Sequence, residues 1–138
     1  VTLLDAYALI AFLVGGPAAA QVRAILREGD TAVASTNLAE TLDVSQRLHG
    51  LPISRAMEVL EPLFEDALTT IALDLHLARR AGEIRARHYH RVDRPLSLAD
   101  AVLIASAQPA DRIATADPHV LAVAGAEGLT PVELPGQG

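Results

Sequence analysis

The first sixteen residues, VTLLDAYALIAFLVGG (1–16), change character at a single acid. Residues 1–4 are β-branched and aliphatic, a run too short for a helix and suited to a strand buried on both faces. From Ala6 the apolar residues become helix formers, and Gly15 and Gly16 end the run. A buried strand that turns into a buried helix at one Asp is the opening of an α/β fold. Asp5 then lies at the carboxyl end of the first strand. The stretch from Ala6 to Val14 is shorter than the ~20 residues a bilayer span needs, and no basic segment precedes it. Neither export nor a membrane anchor is expected, and a cytoplasmic protein is.

The alternation continues along the chain. Further strands are predicted at TAVAS (31–35), TTIAL (69–73), RIAT (112–115) and TPVEL (130–134). Helices are predicted from Pro17 to about Glu28, from Asn37 to His49 with a stop at Gly50, and from Ser54 as cap to about Asp66. A long helix follows over 74–91. Arg94-Pro95 breaks it, another helix covers LSLADAVLIA (96–105), and the last runs from Pro118 to about Gly128. Residues 135–138, PGQG, read as a loose tail. Four to five short apolar strands alternating with helices specify a parallel sheet covered on both faces. The chain of 138 residues has the size of one domain, taken as 1–138.

Composition narrows the chemistry. The chain is 51% hydrophobic with 3% aromatics, which favours helices packed on strands over a β-sandwich. It has no cysteine, so disulfides, thiolate metal sites and cysteine nucleophiles are excluded. Its net charge of −6 argues against nucleic-acid binding by bulk charge, but not against a metal site with a local basic patch. All eleven basic residues are Arg.

Four acids stand out by position. Asp5 ends the first strand, Asp117 follows the fourth, and Glu40 sits in the first turn of the helix after the second. A helix that follows a parallel strand starts at the sheet's carboxyl edge, where ligands bind in open α/β sheets. Asp100 precedes its strand, so the residues alone leave open which edge it occupies. The two helices between strands three and four would bring it to the same edge if the first carries the chain back down. Each acid also has a capping reading: Asn37-x-x-Glu40 and Ser97-x-x-Asp100 resemble capping boxes, and Asp117 before Pro118 resembles an N-cap. Gathered in one crevice, the four would repel, so that either their pKa values rise or a cation joins them. Oxygen-only ligands suit Mg²⁺ or Mn²⁺, which can activate water against a phosphodiester.

Asp5, Asn37-Leu-Ala-Glu40, Leu98-Ala-Asp100-Ala and Thr115-Ala-Asp117, in that order across essentially the whole chain, resemble the acidic signature of the PIN domain family. At this size the chain most resembles the VapC-type toxin ribonucleases of toxin–antitoxin modules. The resemblance implies a Rossmann-like three-layer fold with Asp100 at the same edge as the other acids. It implies a catalytic set of Asp5, Glu40, Asp100 and Asp117, with Asp5, Asp100 and Asp117 as metal ligands. It further implies Mg²⁺- or Mn²⁺-dependent hydrolysis of RNA and a cognate antitoxin. Two places depart from the family. Asp5 is followed by Ala6 and Tyr7, where many relatives carry Ser, Thr or Asn, and Asp117 is flanked by Ala116 and Pro118. The competing readings are a catalytically silent RNA- or protein-binding module and a housekeeping RNA-processing nuclease. A phosphotransfer receiver would need a Lys, and a haloacid-dehalogenase nucleophile would need Asp in place of Tyr7; neither fits.

Residues 79–94, RRAGEIRARHYHRVDR, hold six Arg against Glu83 and Asp93, a local charge of 6 − 2 = +4. This is either a solvated helix face or a strip that tracks phosphates, with Arg85, Arg87 and Tyr89 as substrate contacts beside Thr115. His88 and His90 face different sides of a helix and are not read as metal ligands. His119 is assigned to packing, His49 to a helix C-terminus, and Asp43 and Asp74 to the surface. The helices at 17–28 and 54–66 carry more apolar residues than one stripe needs, among them Val22, Ile25, Leu26, Val59, Leu60, Leu63 and Phe64. Core packing is the default. The resemblance implies that part of this surface is an antitoxin groove or a homodimer contact.

Overall fold

The computed structural model describes residues 1–136. In chain order the described residues form β1 (Thr2–Leu4), α1 (Ala6–Val14), α2 (Ala19–Glu28), β2 (Thr31–Ala34), α3 (Ser35–His49), α4 (Ile53–Phe64), β3 (Leu68–Ile71), α5 (Leu75–His88), α6 (Leu98–Ala105), β4 (Arg112–Thr115), α7 (Pro118–Ala126) and β5 (Thr130–Glu133). The five strands make one parallel sheet in the order β3-β2-β1-β4-β5, which is the Rossmann-like three-layer α/β arrangement. The strand order runs outward in opposite senses from β1 and β4, and the crevice of such a fold opens at that switch point.

The strands' period of two sorts side chains to the two faces. Leu3, Ala32, Ala34 and Ile113 join Ile84 of α5, Val102 to Ala105 of α6 and Val120, Val123 and Ala124 of α7 in one buried layer. Leu4, Val33, Leu68 and Ala114 pack on the other face against Leu9, Val22, Leu26 and Leu60, with Leu38 and Leu42 of α3 at the margin. The apolar excess predicted for the second and fourth helices divides accordingly. Val22, Leu26 and Leu60 are buried, Ile25, Leu63 and Phe64 pack at the edge, and Val59 stays exposed.

Several boundaries differ from the sequence reading. Helix α2 starts at Ala19, because Pro17 and Ala18 lie in a turn. Helix α3 starts at Ser35, directly on the end of β2, so Asn37 is inside it and forms no capping box with Glu40. Helix α4 starts at Ile53; Gln46 Oε1 accepts its first N–H at 3.0 Å, and Ser54 is no cap. Strand β3 is set one residue early by pairing of Leu68 with Thr31, and Leu73 falls outside it. Helix α5 ends at His88. His90 then pairs with Arg94 across a tight turn, and its Nδ1 accepts the N–H groups of Val92 and Asp93, so it organises this turn. Asp74, read as a plain surface acid, caps α5 by accepting the N–H of Leu77 at 2.8 Å. Among the described residues no single helix is long and apolar enough to cross a membrane.

Candidate active site

The carboxyl edge of the sheet opens into a cleft of about 620 Å³ at the crossover between β1 and β4. All four predicted acids line it: Asp5, Glu40, Asp100 and Asp117. Asp100 therefore stands on the same edge as the others, and the question the residues left open is resolved by α5, which lies between β3 and α6.

Three of the acids are placed by ordinary helix chemistry, and Glu40 stands inside α3 one turn from its start. Asp5 caps α1, its carboxylate accepting the N–H of Ala8 at 2.8 Å. Asp117 caps α7 through the N–H of His119 at 2.8 Å, with Pro118 as the first helical residue. Asp100 closes a reciprocal box with Ser97, whose hydroxyl accepts the Asp100 N–H at 3.1 Å while the Asp100 carboxylate is bonded by Ser97 in return. For these three, cap and site residue coincide, since α1 and α7 follow parallel strands and α6 follows α5, and all three N-termini open on the same cleft. The N-terminal dipole there favours an anion.

The electrostatics are those of crowded anions. Burial pushes Asp5 up to about 6 from 3.8; hydrogen bonds from Thr115 and Ala8 oppose this, and the charges of Asp100 and Glu40 add to it. Asp100 is raised by burial first and by Asp117, with Ser97 opposing. Glu40, on the rim, is raised by partial burial and then by Asp100 and Asp43. The acids therefore feel one another across four separate chain segments.

Thr115 was expected to contact substrate. It is fully buried, and its hydroxyl accepts the Asp117 N–H at 3.1 Å while bonding the Asp5 carboxyl. With no surface exposed, it braces two acids and cannot reach a ligand itself. Arg85, Arg87 and Tyr89 are not in the cleft wall. Arg85 donates to the Leu96 carbonyl at 3.0 Å and stacks 4.3 Å over the Tyr89 ring. Arg87 pairs with Glu127 at 2.6 Å, and His88 bonds the same carboxylate, which ties α5 to α7. His119 is not in the cleft wall, and its backbone N–H donates to the Asp117 carboxylate.

The cleft also holds residues that sequence reading did not assign to it: Asn37, Tyr7, His49 and Gly136. Asn37 is 1% exposed, and its Oδ1 has no hydrogen-bond partner. An amide inside a helix is disfavoured, and a buried one is costly unless satisfied, so a helix start at Ser35 would have marked it. His49, read as a helix end, is at once the last residue of α3 and part of the cleft wall.

Comparison with known proteins gives the family. The PIN domain family matches residues 2–129. The chain belongs to the PIN domain family. Similar solved structures include a toxin–antitoxin complex from Klebsiella pneumoniae, at 20% identity and a TM-score of 0.68, covering 97% of this chain and 100% of that one. FitAcB from Neisseria gonorrhoeae is 24% identical with a TM-score of 0.68, covering 96% and 97%. FitAB bound to an IR36 DNA fragment is 21% identical with a TM-score of 0.69, covering 96% and 94%. At these identities the likeness is one of fold. No curated protein matches the chain significantly.

Proposed function

We propose that this PIN domain is a divalent-metal-dependent endoribonuclease, the cytoplasmic toxin of a toxin–antitoxin pair. The observation that carries this reading is the convergence of Asp5, Glu40, Asp100 and Asp117, from four separate segments, on one cleft, where neighbouring acids add to the burial that raises Asp5, Glu40 and Asp100. Such an arrangement is unfavourable for a protein on its own and favourable for one that binds a cation.

The donor set fits Mg²⁺ or Mn²⁺. Every donor is an oxygen, and the unpartnered Asn37 Oδ1 is a further buried oxygen in the same wall. Among the described residues, no three acidic or His side chains are drawn together closely enough to enclose a bare ion. Mg²⁺ does not need that, because it keeps several waters and takes one or two carboxylates with substrate phosphate. Asp5 and Asp100 would be the principal ligands, with Asp117 binding directly or through water, and the ion when bound would supply an activated water and offset the charge on the phosphodiester. The Asp5 carboxylate is fixed for this by Ala8 and Thr115, and that of Asp117 by the N–H of His119, so neither needs to reorganise. Glu40, on the open rim with its pKa raised, orients the attacking water from outside the ligand set.

The toxin reading takes support from a neighbour of the same fold, the toxin–antitoxin complex from Klebsiella pneumoniae. A hollow lined by Phe12, Leu26, Leu63 and Ala67, between α1, α2 and α4, offers an antitoxin segment an apolar seat flanked by Arg23, Arg27 and Asp66. Leu75, Tyr89, Val92 and Leu98 leave apolar surface exposed on α5 and its turn into α6, suited to a homodimer contact.

The test is digestion of total cellular RNA by the purified protein with Mg²⁺, Mn²⁺ or EDTA, beside Asp100→Asn. Discrete fragments that require the metal are expected. Asp100→Asn should lower the rate by about a hundredfold or more, since loss even of groups behind a ligand costs 10–100-fold. Cleavage unchanged by EDTA or by the variant would overturn the proposal.

A further inference from the structure

Tyr7, two residues after Asp5, stands at one of the two places where the chain departs from its family, and the structure gives it a task. The Tyr7 hydroxyl donates to the Pro135 carbonyl at 2.6 Å, across 128 residues of sequence. Pro135 follows β5, the edge strand, whose parallel direction delivers the chain to the carboxyl edge where the acids stand. Two more contacts hold this exit. Leu134 is 2% exposed in the core, and its N–H donates to the Thr115 carbonyl at 2.9 Å, extending the β4–β5 ladder past its end. Gln21 of α2 reaches the Glu133 carbonyl at 3.5 Å. Beyond the Tyr7 contact, Gly136 forms part of the cleft wall, on the cleft that holds Asp5, Asp100 and Asp117. A Cβ built on Gly136 would meet nothing within 4 Å, so the wall here is bare backbone facing open space.

We infer that Tyr7 is a positioning residue that latches Leu134–Gly136 against the acidic cleft, making the backbone after β5 a wall along which a single-stranded RNA lies. This rests on the nuclease reading above. The wall suits such a ligand chemically. Pro135 has no N–H and its carbonyl is occupied by Tyr7, so the polar backbone left at this point belongs to Gly136. A bare glycine lets a ribose or a phosphate approach closely, where any side chain would hold it off. Tyr7 also lines the cleft itself, together with Gly136 of the segment it holds and with Glu40 and Val44 of α3.

The test compares Tyr7→Phe, a truncation ending at Leu134, and the two combined, on a labelled oligoribonucleotide that the wild type cuts. Each single change is expected to raise KM about three- to tenfold, the range for loss of one hydrogen bond, with kcat and Mn²⁺ affinity unchanged. The combined variant should be no worse than the truncation alone, since both act through one contact. Hydrogen exchange of the C-terminal peptide in the free protein should quicken in Tyr7→Phe. Additive effects, an unchanged KM, or unchanged exchange would overturn the latch. A wild type that neither binds nor cuts RNA would instead overturn the nuclease reading on which the wall rests.

Discussion

Asp5 does two jobs that conflict. It caps α1, and it is a buried carboxylate pushed up to about 6 by burial and by its acidic neighbours. Because the folded protein holds this proton more tightly than the unfolded chain, stability is greatest at low pH and falls as pH rises between about 4 and 6. A rise from 3.8 to about 6 corresponds to about 3 kcal/mol. Asp5→Asn keeps the cap and removes the charge. In denaturant unfolding without divalent ions, the variant is expected to gain stability over the wild type progressively from pH 4 to 6 and to hold that gain above it. An equal offset at all pH values would contradict the assignment. Thr115→Val removes the hydroxyl that serves both Asp5 and Asp117, and should cost about 1–3 kcal/mol while weakening Mn²⁺ binding. Equal melting and equal Mn²⁺ affinity in the two proteins would exclude the bracing role. The acids were legible in the sequence because cap residues at strand ends can be read from spacing. Asn37 was not, because its burial depends on α3 starting two residues early, and nothing local marks where β2 stops.

At the scale of elements, the sheet was legible and the ends of helices were not. Strand identity follows from short apolar runs between turn signals, and all five runs became strands. The starts of α4 and β3 follow from partners outside those elements, Gln46 of the preceding helix and Thr31 of β2, which neither segment's own pattern reveals. The basic run 79–94 shows the same limit. It reads as one charged strip, yet the fold spends part of it on structure: Arg85 binds the Leu96 carbonyl, Arg87 and His88 bind Glu127, and His90 builds a turn. Glu127 is the hub between α5 and α7. Burial works to raise its pKa, and the hydrogen bonds from His88 and Arg87 outweigh it and hold the carboxyl below its usual 4.5. The stabilisation is therefore present above about pH 4.5 and lost as pH falls through the lowered value. Glu127→Gln should destabilise by about 1–2 kcal/mol at neutral pH, less in acid, in thermal or denaturant unfolding. A loss that grows in acid would have the wrong sign.

Over the whole molecule, charge is divided by region. A net charge of −6 coexists with a basic α5 that packs along α6, the helix carrying Asp100. Arg80 and Arg91 enter no salt bridge among the described residues. If an RNA strand leaves the cleft along α5, Arg80→Ala should flatten the log–log salt dependence of binding by about 0.7, the value for one phosphate contact on a single strand. An unchanged slope would assign the strip to solvation alone. The central claim concerns the other sign of charge: acids from four segments are gathered for a divalent cation. The most direct measurement is calorimetric titration of Mn²⁺ into the wild type and Asp100→Asn at pH 5 and pH 7. Binding by the wild type is expected at pH 7 and about tenfold weaker at pH 5, where Asp5 with a pKa of about 6 is mostly protonated. The variant should bind weakly or not at all. Equal binding by the two proteins, or none by the folded wild type, would contradict the claim and leave Asp5, Asp100 and Asp117 with helix capping alone.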